Sequence, residues 1–170
     1  MTNVHDVPAN ILIKEIAKDL KNNKKVKIPE YALYVKTGCS KERAPHDPDW
    51  WYVRMAAILR KSYVNGFVTV EKLRTYFGSK KNRGVRPEKF RKASGKIIRD
   101  CLQDLEKLEL VTVVEKKGRT VSPKGQKYID LLCKEILKNG LDSYIEKKEI
   151  KIKESVKENI KPKETTKQKK

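Results

Sequence analysis

The chain has 170 residues, with 41 Lys and Arg against 22 Asp and Glu, a formal net charge of +19. No run of about 20 apolar residues is present to span a bilayer, the N-terminus lacks the apolar core of a signal peptide, and the three cysteines are too far apart in sequence for a disulfide framework. The chain therefore reads as intracellular. So large a positive excess opposes compaction unless a polyanion neutralises it, which makes nucleic acid the first candidate partner and an anionic membrane surface the second.

The charge is unevenly placed. Residues 1–73 carry net +5, residues 100–145 are neutral and residues 146–170 carry net +5. The short stretch 74–99 carries +9: Arg74, Lys80, Lys81, Arg83, Arg86, Lys89, Arg91, Lys92, Lys96 and Arg99 stand against the single acid Glu88. A dense block inside a folded region is better evidence of a binding face than a uniformly basic surface.

Residues 8–23 predict an amphipathic helix. Pro8 suits the first turn, and Leu12, Ile13, Ile16, Ala17 and Leu20 recur at helical spacing. Residues 24–49 lack a period and read as ordered loop with a helical turn at 29–35. The next helix covers 49–64, with Asp49 as N-cap. Trp51, Met55, Ile58, Leu59 and Ser62 form its core face, Arg54 and Lys61 share another face with Arg60 beside them, and Asn65-Gly66 stops it. A shorter helix at 69–77 rests on Val70, Leu73, Tyr76 and Phe77. Residues 78–91 read as a basic loop broken by Gly84 and Pro87.

The strongest helix signal lies at 92–109. Ile98, Cys101, Leu102, Leu105 and Leu108 make an apolar spine, while Lys92, Lys96 and Arg99 make a basic stripe confined to the first two turns. Residues 110–114 form a β-branched run, 115–118 a turn and 119–121 a return strand, a hairpin signal. Ser122-Pro123 opens a last helix with a core face of Ile129, Leu132, Cys133, Ile136 and Leu137. From Glu146 the sequence becomes Lys/Glu-rich with few apolar residues, a composition that predicts disorder in isolation.

Helix, short helix, long helix, two-stranded hairpin and helix are the order of a winged helix-turn-helix. The predicted fold is mainly α: this core with an extra N-terminal helix, a small β-hairpin wing and a C-terminal helix. Residues 1–145 make one RNA-binding domain and 146–170 a basic tail. The long helix takes the recognition position with its basic first turns leading. The insertion before it is too long for a DNA-reading motif, where three or four residues are usual. It suits an irregular RNA surface, where cations meet phosphates and Arg also stacks on unpaired bases. A winged-helix DNA-binding transcriptional regulator remains the alternative.

Other functions have weaker support. His46 near Asp47 and Asp49 reads as a polar loop of capping residues rather than an acid/base cluster. Cys39 and His46 lack a second ligand pair for a metal. Cys101 and Cys133 fall on apolar helix faces. Gly78 to Gly84 lacks the Gly-Lys-Ser/Thr ending of a phosphate loop. The tail has no bulky apolar face to anchor it in a membrane. No cofactor, metal or small-molecule substrate is implied, and the chain is not expected to be an enzyme.

Four ordered motifs carry a family resemblance. They are Trp50-Trp51-Tyr52-Val53-Arg54-Met55-Ala56-Ala57; Tyr76-Phe77-Gly78 with Lys81-Asn82-Arg83-Gly84-Val85-Arg86-Pro87-Glu88-Lys89-Phe90; Leu102-Gln103-Asp104-Leu105-Glu106; and Gly118-Arg119-Thr120-Val121-Ser122-Pro123-Lys124-Gly125-Gln126. From about Asp6 to Asn139 the chain resembles the ribosomal protein S19e family of archaea and eukaryotes. The resemblance implies a winged-helix protein of the small ribosomal subunit head that binds ribosomal RNA, neighbours other head proteins and is needed for subunit maturation. It also implies RNA contacts at Trp51, Tyr52 and Arg54, at Arg60 and Lys61, at Asn82, Arg83 and Gly84, and at Lys96 and Arg99. Lys80, Lys81, Arg86, Lys89, Arg91 and Lys92 of the basic block and Arg119 of the last motif complete the expected surface. The tail after Glu146 extends beyond the family's usual end.

Overall fold

A computed structural model describes residues 4–139, except 24 and 116. Helix α1, Ala9–Asn22, buries Leu12, Ile16, Ala17 and Leu20, the face its spacing predicts. The following loop holds a single 3-10 turn at Glu30–Leu33. Helix α2, Trp50–Asn65, buries residues on more than one side, from Trp51 and Tyr52 to Leu59 and Ser62. Ser62 tolerates burial because its hydroxyl donates to the Ile58 carbonyl at 2.9 Å. Asp49 occupies the N-cap position of α2 without capping it. Its backbone N–H instead donates to Asp47 Oδ1 at 2.9 Å, and its own carboxylate takes Lys21 Nζ at 2.7 Å.

The turn after α2 contains an element that the sequence reading did not anticipate. Phe67–Val68 is a two-residue strand, β1. It leads into α3, Val70–Tyr76, whose N-terminus Thr69 caps by accepting the Lys72 N–H. Helix α4, Gly95–Lys107, buries Ile97, Ile98, Cys101, Leu102 and Leu105. Strands β4, Val111–Val114, and β5, Gly118–Val121, form the wing. β5 pairs with both neighbours, giving a three-stranded antiparallel sheet in the order β1-β5-β4. Two residues are too few for a periodicity signal, so only the tertiary pairing of Phe67 with Thr120 and of Val68 with Arg119 reveals β1.

Ser122 fixes the junction between the wing and α5, Pro123–Lys138. Its Oγ accepts the Gly125 N–H at 3.0 Å and donates to the Glu109 carbonyl at 2.6 Å. Side chains from all five helices and the wing meet in one core: Leu12, Ile16, Trp51, Met55, Leu73, Leu102, Val121, Ile129 and Ile136 among them. Each large apolar side chain in it contributes about 1.5–3 kcal/mol by leaving water. The described residues form a winged helix braced by α1 and α5. The expected tail, 146–170, lies outside the described residues.

Candidate nucleic-acid interface

The basic insertion is not a loop. Residues Ser79–Arg83 (β2) and Arg86–Arg91 (β3) form a two-stranded antiparallel ribbon. Gly84 is compatible with it because the connection has two residues, Gly84 and Val85, and Gly84 sits first with φ 69°. A positive φ at that place gives a hairpin turn whose twist matches the strands. Asn82 Oδ1 accepts the Gly84 N–H at 2.9 Å and holds the turn. Pro87 is accommodated because the register shifts between Lys81 and Arg83. Pro87 and Glu88 together face Asn82 across that bulge, where a missing N–H removes no ladder bond.

The ribbon is poorly stabilised by its own residues. Lys81 stands opposite Lys89, and Arg83 opposite Arg86. Like charges in directly opposed positions are destabilising, and a two-stranded hairpin without an apolar face is marginal in water. Every residue of β3 is exposed, as is nearly all of β2. The ribbon is secured at its base. The Phe90 ring lies on Gly78. Ser79 Oγ is 2.6 Å from Ser40 Oγ. The Ala93 N–H donates to the Arg74 carbonyl at 2.9 Å, and the Ser94 N–H to the Thr37 carbonyl at 3.1 Å.

The cations of the block divide into two sets. Arg74 and Lys92 both pair with Glu71, and the hydrogen bonds from Lys92 and then Arg74 hold the Glu71 carboxyl below its usual range. Lys80, Lys81, Arg86, Lys89, Arg91 and Arg99 have no acidic partner among the described residues. Arg83 reaches only the Pro87 carbonyl, at 3.5 Å. Lys96 places its Nζ 4.4 Å from the centre of the Tyr31 ring. Because α4 begins at Gly95, Lys92 precedes the helix rather than opening its basic stripe. Lys96 and Arg99 alone carry that stripe, and both are exposed.

Helix α2 adds a second strip. The Arg54 guanidinium lies 4.1 Å from the centre of the Phe77 ring, and Lys61 Nζ lies 4.3 Å from the centre of Tyr76. Cations and aromatic rings thus alternate along the α2–α3 face, which runs into Gly78 at the foot of the ribbon.

Four expected contact residues lie apart from this surface. Trp51 is 0% exposed and Tyr52 8%. Both are core residues, which corrects the expectation that their rings meet RNA. Trp51 follows the buried stripe of Met55, Ile58 and Leu59, packed edge-on against Trp50 at 5.4 Å and Tyr31 at 6.1 Å. The ring at the rim is Trp50, one position earlier, in keeping with the helical spacing that puts Trp51 on the apolar face. Arg60 turns about 100° from Lys61 and comes near Cys133 of α5. Arg119 pairs with Glu106 at 3.4 Å, in the last turns of α4 and about 15 Å along the helix from Lys96. Lys80, Lys81, Asn82, Arg83, Gly84, Arg86, Lys89 and Arg91 share the ribbon, with Lys92, Lys96 and Arg99 following it and Arg54 and Lys61 beside it.

The fold and this surface can be set beside known proteins. The family described as ribosomal protein S19e matches residues 3–139. A protein named small ribosomal subunit protein eS19 from Aeropyrum pernix is 47% identical over 139 residues, covering 81% of this chain and 91% of that one. One named small ribosomal subunit protein eS19G from Ascaris suum is 42% identical over 139 residues, 81% of this chain and 94% of its own. The eS19 of Thermoplasma acidophilum is 39% identical over 138 residues, again 81% of this chain and 91% of that one. A family match spanning the whole winged helix, with relatives similar over the same length, shows that the chain belongs to the ribosomal protein S19e family.

Proposed function

We propose that this chain is a constituent of the cytoplasmic small ribosomal subunit, where it binds ribosomal RNA in the subunit head beside other head proteins and is needed for maturation of the subunit. The observation that carries the RNA contact is the ribbon. It opposes Lys81 to Lys89 and Arg83 to Arg86 on a projection with no apolar face of its own. Such an element costs stability in isolation and gains it against closely spaced phosphates. Its cations, with Lys96 and Arg99 at the start of α4, displace counterions from the RNA, so affinity falls steeply with salt. No bond is made or broken, and the role is structural. Residues 146–170, with their own net +5, act as a further arm on the polyanion beyond the 1–145 domain.

The test is assembly. Charge reversal at Arg83, Lys96 and Arg99 should abolish cosedimentation with small-subunit particles in a sucrose gradient while the melting temperature holds. All three side chains are exposed, so the substitutions spare the core. Normal incorporation of the triple variant would overturn the proposal. So would equal or tighter, sequence-selective binding to duplex DNA at moderate salt, which would instead favour a transcriptional regulator.

A further inference from the structure

Beside the foot of the ribbon lies an open cleft of about 520 Å³, within the size range of small-ligand sites. Its walls are Trp50, Val53, Ala57 and Phe77, and Arg43 and Arg54 are among the cations that line it. Two features distinguish it from an ordinary surface groove. First, Trp50 is held only half-buried by its edge-on contact with Trp51 at 5.4 Å, which leaves indole surface facing the cleft. Second, Arg54 is a cation without a counterion. Its guanidinium lies over the Phe77 ring and near the Cys101 thiol, and no acid among the described residues pairs with it. Burial lowers its pKa, the mark of a charge removed from water without compensation.

The lining residues also fit one chemistry. Lys41, Arg43 and Arg54 outnumber the single acid of the lining, Asp47, and Asp47 already accepts the Asp49 N–H at the start of α2. An aromatic wall with unpaired donors and excess positive charge suits a flat, hydrogen-bonding group attached to a phosphate. Unpaired bases splay out of RNA and stack on aromatic side chains in this way.

We infer that the cleft between α2 and the 37–47 segment holds one unstacked RNA nucleotide, its base against Trp50, its polar edge or phosphate at Arg54, and its neighbouring phosphate near Lys41 and Arg43. The inference rests on the RNA-binding reading above and adds to it: the ribbon grips phosphates of any fold, whereas the cleft requires a base that is not paired.

Two RNAs with equal numbers of phosphates separate the effects, a short oligoadenylate and a blunt duplex. Trp50→Ala should weaken binding of the oligoadenylate about tenfold, within the range spanned by loss of one base–aromatic stack, and leave duplex binding unchanged. Because Trp50 also supports Trp51, a second variant keeps it in place: Ala57→Leu, at a partly buried position that lines the cleft, fills it and should give the same selective loss with an unchanged melting temperature. Equal losses on both RNAs, or no loss on either, would overturn the inference. Loss of particle incorporation by Ala57→Leu with normal oligoadenylate affinity would assign the cleft to a neighbouring protein and overturn it equally. Failure of the unaltered chain to bind either RNA would remove the RNA-binding reading itself, whereas normal duplex binding with unaltered strand binding removes only the cleft.

Discussion

The ring of Phe90 rests on Gly78 so closely that a Cβ built on residue 78 would stand 2.5 Å from Phe90 Cζ and 2.7 Å from the Arg91 carbonyl oxygen. Phe90 closes the ribbon onto the body at the point where α3 ends, and it does so while 46% exposed. The contact therefore acts as a hinge pin more than as a piece of core. It decides in which direction the unpaired cations of β2 and β3 project.

Gly78→Ala should therefore misplace the ribbon. The ring can swing aside, but the Arg91 carbonyl belongs to the ladder and cannot move alone. Overpacking of this kind typically costs about 1–3 kcal/mol, a fall of several degrees in melting temperature. The amides of 79–91 should lose hydrogen-exchange protection before any others, and RNA affinity should drop. Phe90→Ala should loosen the same amides with almost no change in melting temperature, since the ring is half-exposed. Adding Phe90→Ala to Gly78→Ala should recover part of the thermal loss, because one of the two clashes is gone. Unchanged exchange in the ribbon of both single variants would show that the ring does not position it.

Lys81→Glu separates stability from function at one residue. Lys81 faces Lys89 across the ladder. Reversing one charge turns repulsion into attraction, worth about 0.2–1 kcal/mol for such a pair. The ribbon should become better protected in hydrogen exchange while RNA affinity falls and its salt dependence becomes shallower. A variant that binds RNA as well as the original would show that this face of the ribbon does not meet phosphate.

How much of this was legible in the sequence depended on the range of the interactions involved. The helices were readable because Leu12, Ile16 and Leu20, or Ile98, Leu102 and Leu105, report burial through local spacing. The basic block was readable as composition, but its strands were not. Lys80 to Arg83 has no apolar alternation, since neither face of the ribbon is core, and Gly84 and Pro87 act as breakers until the turn and the bulge give them places. The stripe through Met55, Ile58 and Leu59 reported Trp51 as core, but that Trp50 faces a cleft depends on Thr37, Lys41, Arg43 and Pro45, which helical spacing does not report. The end of α4 had no glycine to mark it, because the left-handed position there belongs to Glu109, with φ 60°.

Glu71 gives a pH dependence with a defined sign. Lys92 and Arg74 hold its carboxyl below the usual range. The folded chain therefore binds fewer protons there than the unfolded chain as pH falls through the carboxylate region. The stabilisation is present above the unfolded pKa of about 4.3 and is lost as pH drops through the lowered folded value. Glu71→Gln should thus lie closest to the original chain in acid and diverge from it as pH rises past 5. It also releases Arg74 and Lys92, so RNA affinity at neutral pH should stay level or rise. Thermal melts from pH 3 to 7, run in parallel, check the first point. A gap that widens in acid would contradict the assigned pairing.

Glu109 ends α4 in a conformation that suits glycine. Its N–H donates to the Glu106 carbonyl at 2.8 Å, and the Leu110 N–H donates to the Leu105 carbonyl at 3.1 Å, the paired bonds of a helix end that normally places glycine between them. An L side chain in the left-handed region costs about 1–2 kcal/mol. Two terms oppose its removal: glycine's greater freedom when unfolded, about 0.5–1 kcal/mol, and loss of the Lys124 contact at 2.7 Å, an exposed pair that water and salt screen. The Ser122 hydroxyl bond is kept in either case, because it reaches the Glu109 backbone carbonyl. Glu109→Gly should therefore leave stability level or raise it by up to about 1 kcal/mol, whereas Glu109→Val, β-branched at a positive φ, should lower it clearly. Both variants lose the Lys124 contact, so a melting temperature that falls more for glycine than for valine would mean that the left-handed backbone does not govern this turn.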